Sequence, residues 1–352
     1  MIEGIEDLLQ TCPQWCVAGT APLSLILSSR ARLARNLTAL PFVHRTRKGD
    51  LTRVVNQVEA AVQSSPTLEG SRYLAVSEMS ELDRKVLVER RLISPTLAEK
   101  DRQSGVFIKP SETASLMVNE EDHLRIQAIR GGLALEAAWE EADHIDTELS
   151  RTLDFAFSDE FGYLTACPTN VGTGIRMSVL IHLPGLTLTQ NIDQVSRGMR
   201  EIGVSVRGVY GEGTGALGDL YQVSNQWTLG YTEQNIVTRL HDVAQRLIAY
   251  EQSANRALLT EAKAYMEDRI WRAYAILRHA RRLNESDAFE ALSMIRMGLS
   301  MGLFSEIDLT TLNRLLVVTQ SAHIQKISGR SLDMEAQDVF RAELVRGFLN
   351  PS

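Results

Sequence analysis

Ser28-Ser29-Arg30-Ala31-Arg32-Leu33-Ala34-Arg35-Asn36 follows directly on an apolar run at residues 23–27. Arg30 and Arg32 are two residues apart, so on an extended strand their guanidinium groups point to the same side. Two such forks side by side suit phosphate oxygens, which accept bidentate hydrogen bonds. Taken alone, the same residues would serve equally well as a solvated basic edge.

Outward from this segment the pattern is mixed. Short β-rich runs at residues 72–76, 106–108, 115–118, 163–167, 177–182 and 204–210 alternate with helical stretches. Residues 106–118 read as a hairpin, two apolar runs around a Lys-Pro-Ser-Glu-Thr turn. Residues 52–62 and 121–142 read as helices. Beyond Thr232, Ile236, Leu240, Val243 and Leu247 recur at helical spacing, and the pattern continues through the 250s. Asn284, Asp308 and Asp333 stand where helix caps belong. The spacing predicts an α+β domain followed by an all-helical tail, with one long helix crossing the boundary near residue 250.

The chain has 352 residues, 44% hydrophobic and 23% charged, with a net charge of −7. That length allows a large domain and a smaller one, and the composition excludes disordered and collagen-like classes. The net charge argues against nucleic acid as the main partner. No apolar run is long enough to span a membrane. The acidic N-terminus lacks the features of a secretory signal, so a cytoplasmic location is expected. Cys12, Cys16 and Cys167 read as free thiols in a reducing compartment.

Three further segments are dense in chemistry. Asn119-Glu120-Glu121-Asp122-His123-Leu124-Arg125 sets three acids before His and Arg at the end of an apolar strand. Those acids would also suit a helix N-terminus. Cys167-Pro168-Thr169-Asn170-Val171-Gly172-Thr173-Gly174-Ile175-Arg176 puts a thiol on a tight loop leading into a strand, where it can be partly exposed. Arg207-Gly208-Val209-Tyr210-Gly211-Glu212-Gly213-Thr214-Gly215-Ala216-Leu217-Gly218 contains a literal G-x-G-x-x-G. The residues that follow, Asp219-Leu220-Tyr221-Gln222-Val223, read as strand, whereas a dinucleotide site needs a helix there. A mobile loop able to approach a ligand closely is the better reading. Together, five arginines (30, 32, 125, 176 and 207), the carboxylates Glu121 and Glu212 and one loop thiol fit phosphoryl transfer without a P-loop. Carboxylates facing such a ring would repel a triphosphate, which suits them to a cationic acceptor.

These four segments resemble the phosphagen (guanidino) kinase family, over roughly residues 23–250. The implied fold is a guanidino kinase or glutamine synthetase-like antiparallel sheet flanked by helices, followed here by the all-helical C-terminal domain. The resemblance implies a 1–22 extension, a catalytic domain at 23–250 and a dimerisation or regulatory domain at 251–352. It implies ATP and Mg²⁺, the metal held through the nucleotide rather than by protein ligands. The phosphate-binding positions carried over are Ser28, Ser29, Arg30, Ala31, Arg32, Arg125, Arg176, Met177, Ser178, Val179, Leu180, Arg207, Gly208, Val209, Tyr210, Gly211 and Glu212. Glu121 matches the carboxylate that orients the guanidinium, Glu212 the second acid, and Cys167 the active-site cysteine beside that cation.

Within the family, the bacterial protein-arginine kinases are the branch it is most similar to. Only 27 residues precede Ser28, too few for the N-terminal domain of small-metabolite kinases, and a helical tail is present instead. The branch implies protein substrates bearing arginine, a homodimer, an McsA-like activator, a Clp ATPase/protease and a CtsR-like repressor. It also implies a phosphoarginine-binding R-D-x-x-R-A motif, here Gln337-Asp338-Val339-Phe340-Arg341-Ala342, in which Gln337 replaces the first arginine. Two alternatives stay open: a kinase for free arginine, and a non-catalytic adaptor to a Clp-type protease. Met294, Met297 and Met301 fit buried packing or a partner surface.

Overall fold

A computed structural model describes residues 5–17, 25–209, 216–304 and 307–349. Ten strands occur among them: β1 (Ile26–Arg35), β2 (Arg72–Leu74), β3 (Gly105–Ile108), β4 (Ala114–Val118), β5 (Leu124–Gly131), β6 (Phe157–Ser158), β7 (Gly162–Tyr163), β8 (Ile175–His182), β9 (Val204–Gly208) and β10 (Leu220–Asn225). Eight of them form one sheet in the order β2-β3-β4-β5-β1-β8-β10-β9, and every pairing in it is antiparallel. β6 and β7 make a separate hairpin. The α+β class and the antiparallel sheet expected from the sequence are therefore present.

Strand alternation gives the sheet two unlike faces. Ala31, Leu33, Ile126, Ala128, Met177, Val179 and Val223 turn into one large core with helices Lys48–Gln63, Leu135–Leu149 and Glu233–Glu261. The opposite face is polar over β1, β5 and β8 but apolar at its other end. There Leu27, Leu180 and Leu220 join the core of the helices that follow residue 262. The helical region thus packs against part of the face that also carries the charged strand residues.

The capping residues behave as their chemistry requires. Thr232, Asn284 and Asp308 each accept a hydrogen bond from the N–H three residues on, and Asp333 accepts one from Ala336. Helix Glu233–Glu261 runs unbroken past residue 250. Lys263–His279 and Ser321–Ser328 form further separate helices. Met294 and Met297 are buried in the helical core, and Met301 is half-buried.

Three expected elements differ. Residues 121–142 do not form one helix: Leu124–Gly131 is β5 and the helix starts only at Leu135. Leu124, Ile126 and Ala128 alternate with Arg125 and Gln127, and pairing on both sides with β4 and β1 overrides helix propensity. Gly132, at φ +67°, then breaks the chain before the helix. Residues 163–167 yield only the end of β7; Leu164–Cys167 is irregular because its polar groups bond outside a ladder, Ala166 N–H donating to Asp122. β2 stops at Leu74, and Val76 opens a single 3₁₀ turn.

One buried acid titrates within the accessible range. Glu251, fully buried on helix Glu233–Glu261, accepts the Gly185 and Leu186 N–H groups at 2.7 and 3.0 Å. Burial pushes its carboxyl from 4.5 up to about 7, which these two donors only partly offset. The folded chain binds this proton more tightly than the unfolded one. The resulting stabilisation is complete below the unfolded value near 4.5 and is lost as pH rises through about 7. In melts from about pH 5 to 8, wild type should lose roughly 2 kcal/mol relative to Glu251→Gln. A gap independent of pH would show that this carboxyl does not titrate with folding.

Candidate active site

The arginines come together through strand register. Arg32 of β1 lies opposite Arg176 of β8, and Arg30 lies opposite Ser178. On the other side of β1, Ala34 faces Arg125 of β5. Ser178 faces Ser224 of β10, and Gln222 of β10 faces Arg207 of β9. Directly paired residues share a face, as do residues two apart along a strand. All five arginines therefore project from one face, over a floor of Ser178, Ser205, Gln222 and Ser224.

That floor orients the forks without neutralising them. Arg30 Nη2 donates to Gln222 Oε1 at 2.8 Å, Arg176 Nη2 to Ser224 Oγ at 3.3 Å and Arg207 Nε to Ser205 Oγ at 3.1 Å. Arg32 Nε is buried with no hydrogen-bond partner among the described residues. Burial, then the charges of Arg30, Arg125 and Arg176, hold the Arg32 guanidinium well below its usual pKa. Burial and then Arg207 and Arg125 lower Arg176 in the same direction. A cluster of mutually repelling, partly desolvated cations is a site prepared for a polyanion.

One side of the cluster is acidic. The β4–β5 turn gives its three consecutive acids three different roles. Glu120 is buried and accepts from Arg125 Nη1 at 2.7 Å and from the Ser94 hydroxyl. Glu121 is 43% exposed and accepts from Arg125 Nη2 at 3.2 Å. Asp122 is buried and accepts at 2.6 Å from both Asn36 Nδ2 and Ala166 N–H. Asp122 thus ties the turn carrying Glu121 to the loop carrying Cys167, whose half-buried Sγ lies 3.0 Å from Thr169 Oγ1. Burial raises the Asp122 carboxyl, and the two donors oppose that.

Asp122 is a positioning residue. Asp122→Ala should cost about 2–4 kcal/mol of stability, since it strands two buried donors. It should also lower kcat roughly tenfold or more with ATP affinity retained, and Asp122→Asn, which keeps Oδ1, should restore part of the rate. Stability lost with kcat intact would reduce Asp122 to a purely structural link.

Other expected site residues lie elsewhere. Ala31, Met177 and Val179 turn their side chains into the opposite core, as strand alternation dictates, and Leu180 sits under the helical region. The Ser29 hydroxyl donates to Gly132 O and accepts from Ala134 N–H, away from the arginines. Ser28 is buried in β1 opposite Leu180. Gly208 ends β9, and Val209 N–H bonds to Leu220 O. Tyr210, Gly211 and Glu212 fall outside the described residues.

Arg35, third in the opening cluster, forms a buried ion pair with Asp146 at 2.8 Å and lies over the Tyr163 ring. Arg341 is also internal: its Nε and Nη1 donate to Thr319 O and Leu283 O, and Asp338 Oδ1 pairs with it at 3.0 Å. Ala342 is buried, and Gln337 borders a surface cavity of about 910 Å³ that does not include Arg341. Glu120, Asp122 and the Ser205–Gln222–Ser224 floor were not singled out as site residues by the sequence reading. The only available signal was the alternation of β10 and the crowding of the acids.

Residues 53–254 match the ATP:guanido phosphotransferase, C-terminal catalytic domain family, and residues 263–351 match the protein-arginine kinase McsB C-terminal domain. The protein-arginine kinase of Halothermothrix orenii is 42% identical over 98% of this chain and 99% of its own length. That of Pelotomaculum thermopropionicum is 44% identical over 94% of both chains. Among solved structures, the duplicated taurocyamine kinase of Schistosoma mansoni with transition-state analogue components superposes with a TM-score of 0.58 at 30% identity. It covers 64% of this chain and 33% of that duplicated protein. A lombricine kinase gives 0.57 at 25% identity, over 65% of this chain and 67% of its own. With relatives this similar over nearly the whole length, the chain belongs to the protein-arginine kinase family of ATP:guanido phosphotransferases.

Proposed function

We propose that the protein transfers the γ-phosphoryl group of ATP to the guanidinium of arginine side chains in proteins. The single observation that carries this reading is the juxtaposition on one face of a cluster of five arginines with an acid- and thiol-bearing edge. Arg30, Arg32, Arg125, Arg176 and Arg207 would hold the triphosphate. Glu121 and Cys167, joined by Glu212, which follows β9 in the sequence, would hold the acceptor cation.

In the transfer, a guanidinium nitrogen bonds to the γ-phosphorus as the bond to the ADP oxygen breaks. The acceptor proton leaves late, because a free guanidinium has a pKa above about 12. Glu121 therefore acts chiefly by aligning that nitrogen with the phosphorus, and the arginines neutralise charge spreading over the transferred group. Among the described residues no group of three or more His, Cys, Asp or Glu side chains could hold a metal ion. The donor set of this face is cationic, so Mg²⁺ would be held on the phosphates, where it supplies further charge neutralisation.

On this reading residues 23–250 carry the chemistry and 251–352 serve dimerisation or regulation. The family resemblance supports a cytoplasmic setting with an McsA-like activator, a Clp-type protease and a CtsR-like repressor.

The test is to incubate the purified chain with Mg·ATP and casein, or with free arginine, and read acid-labile, alkali-stable phosphate on arginine by mass spectrometry. Label on the protein is the expected result. Label on free arginine alone would replace this reading with a small-guanidine kinase, and label on neither would favour an adaptor.

A further inference from the structure

Beside the Cys167 loop lies a groove of about 480 Å³ that has no part in gripping phosphate. Its floor comes from three chain segments laced together by their backbones. Tyr163 N–H donates to Gly172 O at 2.8 Å, and Thr173 N–H donates to Thr228 O at 3.3 Å. The floor has to be glycine. A Cβ on Gly162 would stand 2.5 Å from Gly172 O, and one on Gly172 would stand 2.5 Å from Thr228 O, both at positive φ. The groove is therefore bare backbone at its base and fixed in shape.

Its lips are apolar and wet. Phe157 and Phe161, from the β6–β7 hairpin, are 57% and 46% exposed, and Leu229 across the groove is 54% exposed. Large apolar side chains held in water on a rigid frame mark a contact surface. Glu160 and Glu233 also line the groove, and among the described residues no Lys or Arg does. Glu233 is turned inward, accepting from Trp139 Nε1 at 2.7 Å and lying 3.9 Å from Arg35, so the exposed Glu160 is the acid that complements a basic ligand.

The groove is continuous with the acceptor edge of the site. Thr228 Oγ1 donates to Thr169 O at 3.0 Å and to Val171 O at 2.6 Å, while Thr169 Oγ1 contacts Cys167 Sγ. One wall of the groove and the loop bearing the thiol are thus a single hydrogen-bonded unit. We propose that this groove docks the substrate polypeptide. The occupant is an extended segment flanking the acceptor arginine, with a bulky apolar side chain between the two phenylalanines and Leu229. A basic neighbour in that segment faces Glu160.

The inference rests on the protein-arginine kinase reading and deepens it. Free arginine has no chain to lay in the groove. A protein-borne arginine gains binding remote from the reacting nitrogen, and that binding positions the guanidinium for transfer.

The test compares two acceptors, N-acetyl-arginine amide and a short basic peptide with phenylalanine or leucine next to its arginine. Wild type should use the peptide with about tenfold higher kcat/KM. Phe157→Ser and Leu229→Ser should each remove most of that advantage by raising KM for the peptide, with kcat and the rate on the capped amino acid unchanged. Both positions are exposed, so melting temperatures should stay at the wild-type value. Equal use of the two acceptors by wild type, or an advantage that survives both substitutions, overturns the groove and leaves the kinase reading standing. Transfer to neither acceptor overturns both.

Discussion

Glu121→Gln should cut kcat by roughly a thousandfold while ATP still binds with near wild-type affinity. The substitution preserves size and shape on a turn where the side chain is 43% exposed and touches Arg125 at 3.2 Å. Folding should therefore be unaffected. What is lost is the negative charge facing the acceptor. A carboxylate grips a guanidinium through charge-assisted, in-plane hydrogen bonds that fix the nitrogen along the line to phosphorus. A neutral amide offers one acceptor and one donor, and the donor is repelled by the guanidinium's own N–H groups. ATP affinity persists because phosphate binding lies with the arginines, and Arg125 keeps its 2.7 Å partner, Glu120. Single-turnover transfer with a parallel ATP titration separates the two quantities. Near-normal turnover would remove Glu121 from the chemistry.

Arg32→Met should abolish tight ATP binding, by about a hundredfold or more, yet raise the melting temperature of the nucleotide-free protein. Arg32 Nε is buried without a partner among the described residues, and its neighbours Arg30, Arg125 and Arg176 repel it. Glu120 offsets only part of that repulsion at this half-buried position, and an apolar side chain of similar length should recover about 1 kcal/mol. The same charge is what a triphosphate needs. Wild type should therefore show a large upward shift in melting temperature with Mg·ATP, through preferential binding to the folded state. The variant should start higher and shift little. A variant that melts lower without nucleotide, yet retains the shift, would falsify the assignment of Arg32 to a phosphate clamp.

Both predictions depend on how much of the site was readable along the chain. Arg30, Arg32, Arg176 and Arg207 were legible from strand alternation and segment ends, which are local properties, whereas Arg125 was noted for its place beside the acids but lay in a segment expected to be helical. The choice among Glu120, Glu121 and Asp122 was not. Three consecutive acids look alike in sequence, and only the turn between β4 and β5 buries the first and third and leaves the second facing outward. The helix expected over residues 121–142 failed for a related reason. Leu124, Ile126 and Ala128 carry a period of two, but the segment is short, and only pairing with β4 and β1 decides between the two periods.

The antiparallel direction of the sheet was implied by the family resemblance, while residue patterning by itself determined the α+β class, the helical tail with its Asn284, Asp308 and Asp333 caps, and the chemical inventory of the site. Each of these follows from interactions between residues a few positions apart, which repeat along the chain and can be read from it. Tertiary structure alone decided that Arg32 stands opposite Arg176, that Asp122 joins the Glu121 turn to the Cys167 loop, and that Arg35 and Arg341 are spent inside the fold. These depend on register, burial and partners far apart in the chain. A side chain's charge is written in the sequence, but whether that charge is paired, buried or free to meet a ligand is fixed only when distant segments meet.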